Sequence, residues 1–493
     1  MARASTRSKP HLDHRLIIAF VALIAVGVYL VFSATVSHVG FPLDDSWIHL
    51  TYARNFAEQG EWAFRLGQRS AGSTSPLWTF LLSIGFFVKL APYFWTYFLG
   101  WLVLTFFGIQ AEKTARFLIT SYKPTIPWLG IFFVIEWHFT WSAVSGMETL
   151  LHGLILLTVL AALMSGSRHY LSLGLLAGLS VWVRPDGLTL LGPLLFTAFM
   201  SELDWSVRGR AFLKILIGFG IFFFTYLLFN LALSGNPLPN TFYAKQAEYQ
   251  AFWHTQPLTV RLGSYLGVIL ASPFLAFIPG LLVWGRKTVE RRNWGAIAGV
   301  LWFLGYVAIY FIRLPAYQHG RYIIPALSIL YFWGALGSVD LIETFKANKR
   351  LVFIWQSILA ALCLAFNFLG ARQNAMDVYW VESEMVATAK WVQHNLPSDA
   401  VLAVHDIGAL GYFVPNPLID MAGLINPDVV PFIRDEDRLR GYLTAQSADY
   451  LIVLPGFYPQ LTSSLQPVFI AATDPNILQV DDDMQVYPWP GGR

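Results

Sequence analysis

Two adjacent carboxylates, Asp44 and Asp45, follow directly on the first apolar stretch of the chain, which runs from Leu16 to about Val36. Ionisable groups beside hydrocarbon are costly, so an acidic pair at the end of a membrane span points to chemistry. A carboxylate can take the proton of an attacking hydroxyl, which makes Asp44 the candidate base. Oxygen ligands suit Mg²⁺, Mn²⁺ and Ca²⁺, so Asp45 is a candidate ligand for a divalent cation, although the sequence itself specifies no metal. A sugar leaving from a lipid phosphate releases an anion, which needs cations more than a general acid. Lys245, His319 and Arg321 are candidates for that phosphate. Asp is also a favoured N-cap, so one of the pair can cap the helix that follows while the other reacts.

These residues need a membrane scaffold. The chain of 493 residues is 56% hydrophobic and 13% charged, which fits a polytopic membrane protein and not a water-soluble one. The net charge of +3 hides a division: basic residues gather in short loops between apolar spans, while the last part of the chain is acidic. Nucleic acid is not an expected partner. The single cysteine, Cys363, lies in an apolar span, so no intrachain disulfide can form.

Apolar stretches recur near 93–110, 126–145, 147–165, 170–186, 187–201, 211–233, 263–285, 294–312, 323–345 and 351–370, giving with the first about eleven crossings. The first span is long enough to be a retained anchor and not a signal peptide. Arg3, Arg7, Lys9 and Arg15 before it place the N-terminus in the cytoplasm by the positive-inside rule. The apolar segment from Pro76 to Lys89 is short; treating it as interfacial or re-entrant puts Lys113, Arg116, Arg208, Arg210, Arg286–Arg292, Lys346 and Lys349 in cytoplasmic loops. The segment after Asp45, Ser46–Asn55, reads as a helix lying along the interface. Glu148, Arg184, Asp186, Lys245, His319 and Arg321 then face outward with the Asp pair. Bland uses compete with chemical ones: Glu148 can sit at a helix start, Asp186 in a turn, and Arg184 can snorkel. Glu136 and His138 fall inside a span, where they can pair with each other.

After residue 370 the composition becomes that of a soluble α/β domain, dividing the chain into 1–370, with an interfacial first outer loop at 37–91, and 371–493. Glu384–Asn395 reads as an amphipathic helix, and Ala400–His405 and Asp449–Leu454 as buried strands of a small parallel or mixed sheet. Gly408 and Gly411 make no dinucleotide fingerprint.

Five segments taken in order carry a resemblance: Asp44-Asp45-Ser46-Trp47-Ile48-His49, Gly72-Ser73-Thr74-Ser75-Pro76-Leu77-Trp78, Ser145-Gly146-Met147-Glu148-Thr149, Pro239–Lys245, and His319-Gly320-Arg321-Tyr322. Together the sequence resembles the GT-C glycosyltransferases, in the style of the bacterial branch that includes terminal arabinofuranosyltransferases and relatives of protein mannosyltransferases. The segment around Asp406, Gly408 and Asp420–Leu424 is similar to the extracytoplasmic domain of that branch. The resemblance implies a multi-pass plasma-membrane enzyme with an extracytoplasmic active site. It implies an inverting transfer of a hexosyl or pentosyl group from a polyprenyl-phosphate donor to a glycan, lipid or protein acceptor. It makes Asp44 the base and Asp45 the second acidic position of its motif. His49, Glu148, Arg184, Asn240 and Tyr243 are the expected substrate contacts. The alternatives are an envelope polysaccharide polymerase or ligase, which shares the lipid-linked substrate, and a polytopic transporter, which would more naturally show paired repeats.

Overall fold

The computed structural model describes residues 13–344, 348–490 and 492. Arg3, Arg7, Lys9 and Lys346 lie outside the described residues. The chain opens with α1 (His14–Val36), α2 (Asp45–Gln59), a hairpin of β1 (Ala63–Arg65) and β2 (Gln68–Arg69), α3 (Pro76–Phe87) and α4 (Pro92–Leu118). Next come α5 (Trp128–Ile135), α6 (Trp137–Val144), α7 (Thr149–Met164), α8 (Tyr170–Val183), α9 (Leu191–Ser201), α10 (Trp205–Ser234) and α11 (Asn240–Thr255). The membrane region closes with α12 (Leu258–Leu270), α13 (Phe274–Glu290), α14 (Trp294–Arg313), α15 (Ile324–Thr344) and α16 (Lys349–Val381).

All the apolar stretches of the sequence fall on helices, but length separates them. Among the described residues six helices are long and apolar enough to cross a bilayer, and seven if α12 and α13, bent by 90° at their junction, make one span. That is fewer than the eleven crossings expected from hydropathy. The stretch 126–145 breaks at Glu136, whose extended backbone ends α5 and whose carboxylate accepts from Phe139 N at the start of α6. Helices α8 and α9 have 14 and 11 residues, and a 3₁₀ turn at Pro185–Leu190 divides them. At about 1.5 Å per residue such helices fall short of the hydrocarbon thickness. They are held by protein: Gly174 and Gly178 of α8 lie so close to α10 that a Cβ on either would stand 2.5 Å from the carbonyl oxygen of Ile215 or Phe219. Small residues at such crossings let helix backbones approach where no hydrophobic effect drives them together.

Helix α2 also differs from expectation. An interfacial helix buries one face, whereas Ser46–Ala53 and Asn55 are buried all round, with α3 and the C-terminal segment packed against it. Gly60, at φ 72°, ends it in the left-handed conformation that glycine adopts without strain.

Residue 371 lies within α16, which runs through a π-turn into α17 (Ala387–Asn395). Beyond it follow β3 (Leu402–Val404), α18 (Gly408–Phe413), β4 (Leu418–Asp420), α19 (Glu436–Ala445), β5 (Tyr450–Val453), α20 (Pro459–Thr462), β6 (Phe469–Ile470) and β7 (Gln485–Pro488). The strands form one sheet in the order β4-β3-β5-β7-β6, parallel across β4, β3 and β5 and antiparallel at β7. From β3 the chain passes to β4 on one side and β5 on the other. A crevice therefore opens at the carboxyl end of β3, the place where open α/β sheets present ligand-facing groups.

Candidate active site

Asp44 and Asp45 part company in their side chains. Asp45 Oδ2 accepts from Arg321 Nη2 at 2.5 Å and from Lys245 Nζ at 3.1 Å, and the Tyr322 hydroxyl accepts from both cations at 3.1 and 3.3 Å. Burial disfavours the Asp45 charge, but Lys245 and Arg321 outweigh it and hold the carboxyl well below the usual range. Asp44 stands in helical backbone and makes no capping bond to α2, so the N-cap reading fails for its side chain. Its Oδ2 accepts instead from Gly408 N at 2.7 Å and its Oδ1 from Ala409 N at 2.8 Å. Burial and the negative charge of Asp406 push Asp44 up to about 7 against the pull of those two bonds.

Arg321 is placed by an unusual turn. Gln318, His319 and Gly320 take φ of 52°, 57° and 72° in succession, and the first two pay for that left-handed backbone with strain of order 1 kcal/mol each. His319 Nε2 meets Asp377 Oδ2 at 2.7 Å, where Trp141 Nε1 also donates at 3.1 Å. His319 thus faces Asp377 and makes no hydrogen bond to the Asp45 cluster. Arg321 is 4% exposed, yet its Nε and Nη1 are buried without a hydrogen-bond partner. Lys245 comes from α11, whose first residue is tied down by Asn240 N donating to Ala71 O at 3.0 Å.

A second cluster lies beside the first. Glu148 accepts from Arg184 Nη1 at 2.9 Å and faces His49 Nε2 at 3.5 Å. Arg184 Nε donates to Asp186 at 3.1 Å, and Asp186 also accepts from the hydroxyls of Tyr306 at 2.5 Å and Tyr310 at 2.7 Å. His49 Nδ1 contacts Thr79 Oγ1 and Ser73 Oγ at 3.0 and 3.2 Å, Ser46 Oγ donates to Ser145 O, and Trp78 Nε1 donates to Gly146 O. The first three sequence segments therefore meet in space. The Glu136–His138 pair, at 2.9 Å, is a separate one.

Two cavities flank the Asp45 cluster, and both are lined by Asp45, Arg321 and Tyr322. One, of about 360 Å³, runs between α11 and α14 past Lys245, Arg184, Tyr310 and Leu314. The other, of about 920 Å³, opens under the C-terminal sheet and is lined by Asp44, Glu248, His319, Asp377, Asp406 and Arg434 among others. His49, Asn240 and Tyr243 line neither: His49 faces Glu148, and Asn240 is buried with its Oδ1 unpartnered. Sequence reasoning undervalued Asp186, read as a turn residue, and left Glu248 unremarked, since nothing local marks a helical Glu as a cavity wall.

The set around Asp45 does not fit a divalent cation. Its Oδ2 already faces two cations, and among the described residues no three His, Cys, Asp or Glu side chains gather as ligands.

A family model described as a domain of unknown function, DUF8728, matches residues 373–487. No curated protein matches the chain in sequence. In structure it is similar to the oligosaccharyltransferase of Archaeoglobus fulgidus, with 10% identity and a TM-score of 0.60 over 91% of this chain and 70% of that one. That enzyme is also known in complex with Zn and sulfate. ArnT from Cupriavidus metallidurans, bound to undecaprenyl phosphate, aligns at 13% identity and a TM-score of 0.57 over 96% and 98% of the two chains. The arabinofuranosyltransferase AftD from Mycobacteria aligns at 16% and 0.51 over 98% of this chain, which spans 40% of AftD. The chain has the fold of the GT-C membrane glycosyltransferases.

Proposed function

Starting from that fold, we propose that the protein transfers a sugar from a polyprenyl-phosphate donor to an acceptor hydroxyl on the extracytoplasmic side of the plasma membrane. The observation that carries this reading is Arg321. A buried guanidinium with two unpartnered donors is expensive, at about 1–3 kcal/mol for each unsatisfied group, unless an anion completes it. The solved relative ArnT holds undecaprenyl phosphate, a ligand of that chemistry. The smaller cavity, lined by Lys245 and Arg321 and by apolar side chains such as Leu188, Leu238 and Ile309, suits a phosphate carrying a hydrocarbon chain.

The reaction then runs across the cluster. An acceptor hydroxyl in the larger cavity attacks the anomeric carbon, the carbon–oxygen bond to phosphate breaks, and the hydroxyl proton passes to Asp44. Each Asp44 oxygen keeps a lone pair beyond the one used by Gly408 or Ala409. The phosphate gains one negative charge on leaving, which Lys245 and Arg321 offset. A single displacement from the face opposite the phosphate inverts the anomeric centre. Asp45 keeps the two cations aimed, and no step is routed through a metal. Glu148, Arg184 and His49 hold the donor side in shape. Residues 1–370 would supply the donor site and 371–493 an extracytoplasmic cover.

The test is incubation of the purified full chain with radiolabelled polyprenyl-phosphate sugars and glycan, lipid or protein acceptors. Transfer with inversion supports the reading; donor binding without transfer to any acceptor favours a transporter. Orientation is tested with an impermeant thiol reagent, which should reach a cysteine placed at Asp399 from outside and not one placed at Lys349.

A further inference from the structure

The C-terminal segment grips Asp44 at the turn between β3 and α18. Gly408 N and Ala409 N hold both oxygens of the Asp44 carboxylate, at 2.7 and 2.8 Å. That approach exists because residue 408 is glycine: a Cβ there would overlap the Asp44 carbonyl oxygen and stand 2.5 Å from Oδ2. Two residues earlier, Asp406 lines the same cavity, and its Oδ2 is buried with no hydrogen-bond partner. The turn leaves the carboxyl end of β3, the crevice fixed by the strand order.

We propose that the segment matched by the domain of unknown function is a working half of the active site, in which Gly408 and Asp406 are positioning residues for Asp44. The glycine admits the backbone clamp that decides which lone pairs face the cavity, and Asp406 places a second negative charge beside the carboxylate. The proposal rests on Asp44 being the base.

The charges around Asp44 come from both sides. On its own segment stands Asp45, paired with Lys245 of α11 and with Arg321 from the turn before α15; from the β3–α18 turn comes Asp406; Glu248, His405 and Arg434 stand along the shared cavity wall. Burial and Asp406 raise the Asp44 pKa while the two N–H bonds lower it. Neutralising Asp406 leaves those bonds less opposed, so Asp44 ionises at lower pH.

The experiment uses the full chain in detergent and a carbodiimide, which reacts with protonated carboxyl groups, reading the label at Asp44 by mass spectrometry as a function of pH. Wild type should be half-labelled near pH 7. Asp406→Asn should move that midpoint down by about one pH unit, the scale of a coupled carboxyl pair, with Tm unchanged. The acid limb of transfer should move by the same amount. Gly408→Ala should lower transfer by about 10²-fold, the scale of a displaced catalytic group, with donor binding kept. An unmoved midpoint in Asp406→Asn, or wild-type transfer in Gly408→Ala, overturns the proposal. A midpoint that moves while the acid limb does not would leave the clamp in place and remove Asp44 as the base.

Discussion

The two cavities that meet at Asp45 differ in what surrounds a ligand. On the α14 side, cations face a narrow apolar slot: Lys245 and Arg321 share one carboxylate, and Arg184 is spent on Glu148 and Asp186. Under the sheet, carboxylates dominate: Asp44, Glu248, Asp377 and Asp406 stand against Arg434 and the shared Arg321. The difference teaches a division of labour by charge. An anion with a hydrocarbon tail is stabilised on the first side and repelled on the second, while a neutral polyol finds proton acceptors on the second. Asp45, Tyr322 and Arg321 line both cavities, so in the proposed reaction the phosphate and the attacking hydroxyl would meet across them.

The largest effect that could break this comparison is expected at the base. Asp44→Asn cannot take a proton and should lose transfer by about 10²- to 10⁴-fold while still binding donor. An Asn amide also turns an N–H group toward Gly408 N or Ala409 N, so Tm must be measured beside activity. If Asp44 is the base, the active form is its ionised carboxylate, so transfer should fall as pH drops through about 7. A pH–rate profile flat through that region would count against Asp44.

Next in size comes the frame of the donor side. Arg184→Met leaves the buried Glu148 and the half-buried Asp186 without their main cation, a change that costs about 3–5 kcal/mol when a buried pair such as Arg184–Glu148 is broken. Thermal melting should show a large loss of stability; an unchanged Tm would mean that the network is not structural.

Arg321→Ala and Lys245→Ala should each weaken polyprenyl-phosphate binding by about 2–5 kcal/mol, the cost of removing one partner of a charged pair. Equal donor affinity in both variants would assign the cations to holding Asp45 alone. The smallest effect sharpens the acceptor side: Glu248→Gln should raise acceptor KM about fivefold, the worth of one hydrogen bond at about 1 kcal/mol, and leave donor affinity alone. A donor effect of similar size would mean that the two cavities are not separate sites.

Much of this was legible in the sequence, for reasons that vary by residue. Hydropathy located the helical stretches because burial and lipid exposure both select apolar side chains, and it parted 170–186 from 187–201 beside the turn at Pro185, yet it could not see the break at Glu136, which shortens the helices without altering composition. Lys245 and Arg321 were legible as outward cations suited to a phosphate, but their pairing with Asp45 was not, since Asp44 and Asp45 differ only in direction along a helix start. The partner of Asp44 was out of reach of any local rule: Gly408 lies 364 residues away, and a backbone N–H leaves no mark in side-chain identity. Its one trace was a glycine in the run Asp406-Ile407-Gly408, read as an absent nucleotide motif when its use is close approach. Asp186 in Pro-Asp-Gly is a turn residue by sequence and a half-buried ion-pair partner in the fold, and both descriptions hold.

The most direct measurement of the central claim is a cryo-EM structure of the full chain with a polyprenyl phosphate bound. The account predicts phosphate density against Nε and Nη1 of Arg321, beside Lys245, with the hydrocarbon chain leaving through the slot between α11 and α14. Phosphate bound instead in the carboxylate-lined cavity beside Asp44 and Asp406, or away from Arg321 altogether, would contradict it.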